Sequence, residues 1–277
     1  MTESDTIQLE DVKDQTREAF DSAAPVYDNE YEKLQGIIRL RKITSRAFLK
    51  YFSPGDSLLE LNCGTGTDAL ALAQRGMKVL ATDLSPLMIR EVQKKIAETR
   101  AEERVIAKVL SFRELDMLRG LSFDGAYSNL GGLNCTNDLS TVATSLGSLI
   151  KPQGYFIAAI MPAFCLWETC ASLARGKWKQ ALRRRNPLGS VAHLHGGKVH
   201  TFYHDPRKVA QIFSPYFITV KLLALNVITP PPNFTNAYRS LGRLINFLEK
   251  IDDMISQLPL LSSISDHYLI VLQRKSV

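Results

Sequence analysis

The chain has 277 residues, 45% of them apolar, with a net charge of +6. That fits one large domain with a full core. No run of 18 uninterrupted apolar residues occurs; the nearest, residues 155–174, is broken by Pro162 and Glu168, which excludes a transmembrane span. The acidic start MTESDTIQLEDVKD does not read as a signal peptide. The four cysteines (Cys63, Cys135, Cys165, Cys170) lack CxxC spacing, so reduced, buried or semi-buried thiols and a cytoplasmic location are expected.

Residues 1–10 are expected to be disordered and residues 11–52 helical, the last helix ending at Ser53-Pro54-Gly55-Asp56. Residues 57–71, SLLELNCGTGTDALA, then organise the chain: a short apolar run, a turn with Gly64 and Gly66, and a helical start. Such a turn lets backbone N–H groups approach a ligand, and the helix N-terminus adds partial positive charge. A second strand, residues 78–82, ends at Asp83, placed to accept from a ribose. Gly64-x-Gly66-x-x-Ala69 also fits a dinucleotide pattern. Glu60 discriminates, because a carboxylate at the end of the first strand would repel a pyrophosphate but suit a ligand with cationic groups, such as S-adenosylmethionine (SAM).

This stretch resembles the first motif of the class I SAM-dependent methyltransferases, E/D-x-G-x-G-x-G, with Asn62 in place of the first glycine and Thr67 of the third. Upstream, A-F-D-x-x-A-x-x-Y-D in residues 19–28 resembles the segment that folds over the cofactor in relatives of the ubiquinone/menaquinone C-methyltransferases, which places Tyr27 near the methionine end. Ser85-Pro86 opens a helix whose Met88 packs against adenine or in the core. A third strand is expected at residues 105–112. By the resemblance, Glu114 and Leu115 after it contact adenine. FDGAYSN at residues 123–129 resembles the fourth-strand motif, followed by the loop Leu130-Gly131-Gly132; Asn129 there can hydrogen-bond cofactor or substrate. Lys151-Pro152-Gln153-Gly154 resembles the turn before the fifth strand. The expected cofactor set is Tyr27, Glu60, Asn62, Cys63, Gly64, Thr65, Gly66, Asp83, Leu84, Met88, Glu114, Leu115, Asn129 and Leu130.

From residue 161 the pattern leaves the basic fold, and lids are expected at residues 161–204 and 230–262, where class I methyltransferases insert them over the substrate. A sixth strand (residues 217–227) and a last, antiparallel one (267–273) complete the sheet. The expected fold is therefore α/β: a single domain over residues 1–277 with an N-terminal helical segment (1–52), a SAM-binding core (53–160) and a seven-stranded, mostly parallel Rossmann-like sheet. Trp167, Tyr203 and Phe234 are candidates for substrate contact. Among His193, His195, His200 and His204, His195 and His200 are candidate general bases. No metal pattern is seen.

Residues 174–208 hold nine Lys/Arg against one acid. If residues 175–185 are helical, Lys179 and Arg183 share a basic face beside Trp178 and Leu182, as in an interfacial helix, or this is simply a solvated lid helix. The expected function is methyl transfer from SAM, leaving S-adenosylhomocysteine, to O, N or C of a small or amphipathic molecule. Nucleic acid is disfavoured as a partner and peripheral membrane contact is open; oligomeric state is not set. The alternatives are an RNA methyltransferase, an NAD-binding protein and a non-catalytic SAM-binding protein.

Overall fold

In a computed structural model the backbone is described for residues 3–276 and side chains for residues 12–276. The expected disorder of residues 1–10 is corrected from Glu3 onward, since α1 (Glu3–Ala23) already begins there; residues 1 and 2 lie outside the described residues. Two further helices, α2 (Tyr27–Glu30) and α3 (Gln35–Tyr51), lead to the first strand.

The core alternates strand and helix: β1 (Ser57–Glu60), α4 (Thr67–Ala73), β2 (Lys78–Asp83), α5 (Pro86–Thr99), β3 (Val105–Val109), β4 (Phe123–Ser128), α6 (Leu139–Leu149) and β5 (Ile150–Ile160). After it come α7 (Leu166–Leu173), α8 (Trp178–Ala181), the hairpin β6 (Ser190–Leu194) and β7 (Gly197–Thr201), then α9 (Pro206–Phe213), β8 (Phe217–Leu225), α10 (Thr235–Leu241), α11 (Leu244–Ile255) and β9 (His267–Arg274).

Seven strands form one sheet in the order β3-β2-β1-β4-β5-β9-β8. The pairs from β3 to β5 are parallel, and β9 runs antiparallel between β5 and β8. Side chains alternate across a strand. So Leu59, Phe156, Ala158, Ile160 and Ile270 pack on one face, with Val142 and Leu146 of α6 and Phe213 of α9. Leu58, Ile157, Ala159, Leu269 and Val271 pack on the other, with Leu40 and Phe48 of α3 and Val92 of α5. This double burial is why the central strands read as near-continuous apolar runs. Ser85 caps α5 as expected, its hydroxyl accepting from Met88 N at 3.0 Å.

The two inserted segments behave differently from the expected pair of lids. The hairpin β6–β7 clasps α1: a Cβ on Gly197 would lie 2.5 Å from Ala19 Cβ, so only glycine permits that approach. The second segment turns away from the cleft and packs along α3. Pro232 lies against Gly36, and Arg39 of α3 pairs with Asp253 at 2.8 Å. Residues 175–185 do not form a continuous helix, because α8 is one turn long and a 3-10 turn, Arg183–Arg185, follows it. Nor is that arginine run a free basic face. Arg184 is buried and paired with Glu168 at 2.9 Å and Asp266 at 2.8 Å, and Arg183 also holds Glu168. Of the thiols, Cys63 and Cys165 are buried, Cys135 is half-buried and Cys170 is exposed. Among the described residues no helix is long and apolar enough to cross a membrane.

The buried Asp252 of α11 fixes the second segment. Its carboxylate accepts from the backbone N–H of Val227, Ile228 and Thr229 at 3.1, 3.0 and 2.9 Å. Asp252→Ala leaves these donors unpaired at about 1–3 kcal/mol each when desolvated. A loss of roughly 3 kcal/mol is therefore expected in urea unfolding, with Asp252→Asn recovering only part of it.

Candidate functional site

A cleft opens at the carboxyl ends of β1, β2 and β4, where ligands bind in open α/β sheets. Its floor is the turn after β1. Gly64 has φ +53°, and nothing lies within 4 Å of where its Cβ would be; Gly66 has φ +81°, and a Cβ there would strike Val92 at 2.8 Å. One glycine thus leaves space for a ligand and the other lets α4 pack on α5. Asn62, which stands where the resemblance has glycine, is a cross-brace. It donates to the Asn129 carbonyl at 2.9 Å and accepts from the Ser128 hydroxyl, and it rests on Gly132, where any side chain would collide with it.

Three acids line the cleft: Glu60, Asp68 and Asp83. Asp68 is compensated, since Arg41 pairs with it at 2.5 Å and Asn129 donates to it at 2.8 Å; Glu32 holds the same guanidinium from the other side. Glu60 is not. It is 2% exposed and its Oε2 has no hydrogen-bond partner. Burial, reinforced by Asp68, outweighs the neighbouring Tyr127 hydroxyl and Arg41 and pushes its pKa well above the usual carboxylate range. Asp83 accepts from the backbone N–H of Gly64 and Ser85, both at 2.9 Å, yet burial still raises it to about 6. An orphaned carboxylate oxygen over an open glycine cradle, with a second raised carboxylate beside it, fits a ligand with cationic groups at one end and hydroxyls at the other.

The cover is α1. Val12, Lys13, Thr16, Arg17 and Phe20 line the cleft from above. Asp21 anchors the helix by accepting from the Ser85 hydroxyl and from Leu87 N at 3.1 Å, at the N-terminus of α5. Lys13 pairs with Glu114 at 2.6 Å across the mouth.

Of the expected cofactor residues, Tyr27, Glu60, Asn62, Cys63, Gly64, Thr65, Asp83, Leu84, Asn129 and Leu130 line the cleft. Gly66, Met88, Glu114 and Leu115 do not. Gly66 packs on α5, and Met88 sits fully buried against Ala23 and Ala24. Glu114 serves the α1 ion pair, and Leu115 is core. The expected substrate residues lie elsewhere: Trp167 pairs with Phe234 at 5.1 Å, and Tyr203 bonds the Ser190 hydroxyl at 3.0 Å under Arg184. The candidate bases are also outside. His195 stands exposed at the tip of the hairpin, 3.7 Å from Glu30. His200 bonds the Leu188 carbonyl at 2.6 Å. Among the described residues no histidine lines the cleft. The thiols are no substitute, for burial pushes Cys135 up to about 12 and Cys63 well above its usual value.

The resemblance of residues 19–28 pointed to the end of α1, but sequence reading missed Val12, Lys13, Thr16 and Arg17 of α1, and Arg41, Asp68, Thr136, Asn137 and Phe202. For Asp68 a local signal existed, a carboxylate in the first turn of the helix after the glycines.

Residues 58–154 match a family profile described as a methyltransferase domain. The chain is 32% identical over 142 residues to a 2-phytyl-1,4-naphtoquinone methyltransferase of Synechococcus elongatus, covering 48% of this chain and 58% of that one. It is 27% identical over 118 residues to the putative methyltransferase YqeM of Bacillus subtilis, covering 40% and 44%. The matches thus span about half the length of these two relatives. A solved structure, geranyl diphosphate C-methyltransferase from Streptomyces coelicolor A3(2), superposes with a TM-score of 0.54 at 13% identity over 87% of this chain and 80% of that one, a likeness of fold. Residues 58–154 are thus a methyltransferase domain, and the strand order gives the chain the Rossmann-like fold of methyltransferases. Such a domain takes SAM as its cofactor, and the acidic cradle suits it.

Two outcomes follow. Glu60→Gln removes the unpaired carboxylate, so SAM affinity should fall at least tenfold by calorimetry, on the scale of about 1.5–3 kcal/mol for a charged partner, while the melting temperature holds or rises. Asp83 accepts hydroxyls best as the carboxylate. With its pKa raised to about 6, SAM should bind at least tenfold tighter at pH 7 than at pH 5, and Asp83→Asn should remove Asp83's share of this gain, leaving only what Glu60 contributes.

Proposed function

We propose that the chain methylates a small amphipathic molecule whose acceptor atom is itself acidic enough to lose its proton without a histidine. The observation that carries the reading is the make-up of the cleft beyond the acids. Phe20, Phe112, Leu130 and Phe202 give it apolar walls, and Thr136 and Asn137 add a few polar groups. Small-molecule sites are built this way. SAM, when bound, supplies an activated methyl group. The protein then has to hold the acceptor in line with that methyl, and good orientation alone reaches effective molarities of 10⁵ M or more.

Each part of the chain has a task in this scheme. Glu60 attracts the cationic end of the cofactor and Asp83 its hydroxyls. Tyr27, half-buried and with its pKa raised by burial and by Glu32, stays a neutral hydroxyl able to donate a hydrogen bond. The roof formed by α1 and the hairpin excludes water. Phenols, enols and reduced quinone rings are acceptors that suit a cleft without a histidine base. The quinone chemistry in the name of the Synechococcus relative supports that class. An RNA substrate is less well supported, since the basic run does not line the cleft and Arg183 and Arg184 are spent on Glu168 and Asp266.

Isotope-labelled SAM incubated with the protein and a metabolite extract should give a labelled product of low mass that partitions into organic solvent. Phe202→Ala should lower that turnover more than tenfold without changing SAM affinity. Label in RNA, or in no product at all, would count against the reading.

A further inference from the structure

We propose that α11 and the groove beside it dock the protein on an anionic lipid surface. Along α11 and the turn after it, Leu244, Phe247, Ile251, Met254 and Leu258 follow a 3-4-3-4 spacing, which on an α-helix is one narrow stripe. These are not core residues: Met254 is 80% exposed, Phe247 58%, Leu258 55% and Leu244 49%. The helix meets the protein with a different face, through Ile245 and the anchored Asp252. A rigid helix is therefore held with its second apolar face in water, an arrangement that soluble surfaces rarely carry without a partner.

Charge names the partner. The groove between α3 and α10–α11 is lined by Lys42, Arg46, Arg239, Arg243 and Lys250. None of the five forms an ion pair among the described residues. The two acids in the same groove, Glu249 and Asp253, are both taken by the buried Arg39 at 3.4 and 2.8 Å. At 100° per residue, Arg243 and Lys250 border the apolar stripe. An apolar stripe edged by Lys and Arg is the composition of a helix that lies in the headgroup layer. There each cation near an anionic leaflet adds to the attraction.

Two other occupants fit less well. A second copy related by a two-fold axis would set five uncompensated cations against the same five. Nucleic acid would satisfy the cations but leave the stripe in water, and Phe247 is the stripe's one aromatic available for stacking. Residues 175–185 carry no comparable arrangement, because Arg183 and Arg184 are spent on internal acids.

The test is co-sedimentation of the full chain with vesicles at low salt, where such attraction is least screened. Binding is expected to phosphatidylglycerol/phosphatidylcholine vesicles and not to pure phosphatidylcholine. Phe247→Ser/Met254→Ser and, separately, Arg243→Ser/Lys250→Ser should each lower the partition coefficient at least tenfold. These positions are exposed, so the melting temperature and SAM affinity should hold, and Trp178→Ser should bind as wild type. Three results would overturn the proposal: no binding to the anionic vesicles, binding unchanged in both double variants, or light scattering in which Phe247→Ser/Met254→Ser splits a dimer while vesicle binding persists. An RNA gel shift that Arg243→Ser/Lys250→Ser abolishes, with no vesicle binding, would reassign the cations to nucleic acid.

Discussion

The site depends on an imbalance of buried charge. Glu60, Asp68 and Asp83 converge at the carboxyl ends of β1 and β2, and the cleft's one deep guanidinium, Arg41, is spent on Asp68 and Glu32. Glu60 and Asp83 are left in a poorly solvated space, and among the described residues neither has an ion pair of its own. Ionising them there is costly, so burial lifts both pKa values. A ligand that brings positive charge recovers that cost, whereas a pyrophosphate would add to it. The preference for SAM over a dinucleotide is therefore electrostatic, and the glycine turn serves it by leaving room at Gly64.

The rest of the fold serves this cleft. The parallel strands deliver Glu60, Asp83 and Asn129 to one end of the sheet, and β9 completes the core on the far side without reaching the site. Asn62 ties the two ligand loops together, so the cradle is braced before anything binds. The roof is α1, pinned at Asp21 to the N-terminus of α5 and clasped by the β6–β7 hairpin at Gly197.

What could be read beforehand was local. The strand-turn-helix around Gly64 and Gly66, the Ser85 cap and the antiparallel last strand each follow from a few adjacent residues whose backbone needs are specific. What escaped was long-range. Arg41 meets Asp68 through tertiary packing, and Asn129 reaches Thr44 across 85 residues of sequence. Periodicity shows that residues 11–23 are helical; that they roof the cleft was indicated only by the resemblance of residues 19–28. The histidines and the arginine run drew attention by composition. Yet His195 ended in solvent, His200 on a backbone carbonyl, and Arg184 against Asp266, 82 residues away. The same blindness hid the apolar stripe of α11, since sequence cannot tell which of a helix's two apolar faces turns inward.

Because both free carboxyl groups are raised, binding a cationic ligand should drive protons off them. Calorimetric titration of SAM near pH 6, repeated in buffers of different ionisation enthalpy, counts those protons directly. Net proton release is predicted. Zero release or net uptake would contradict the charge imbalance on which the site is built.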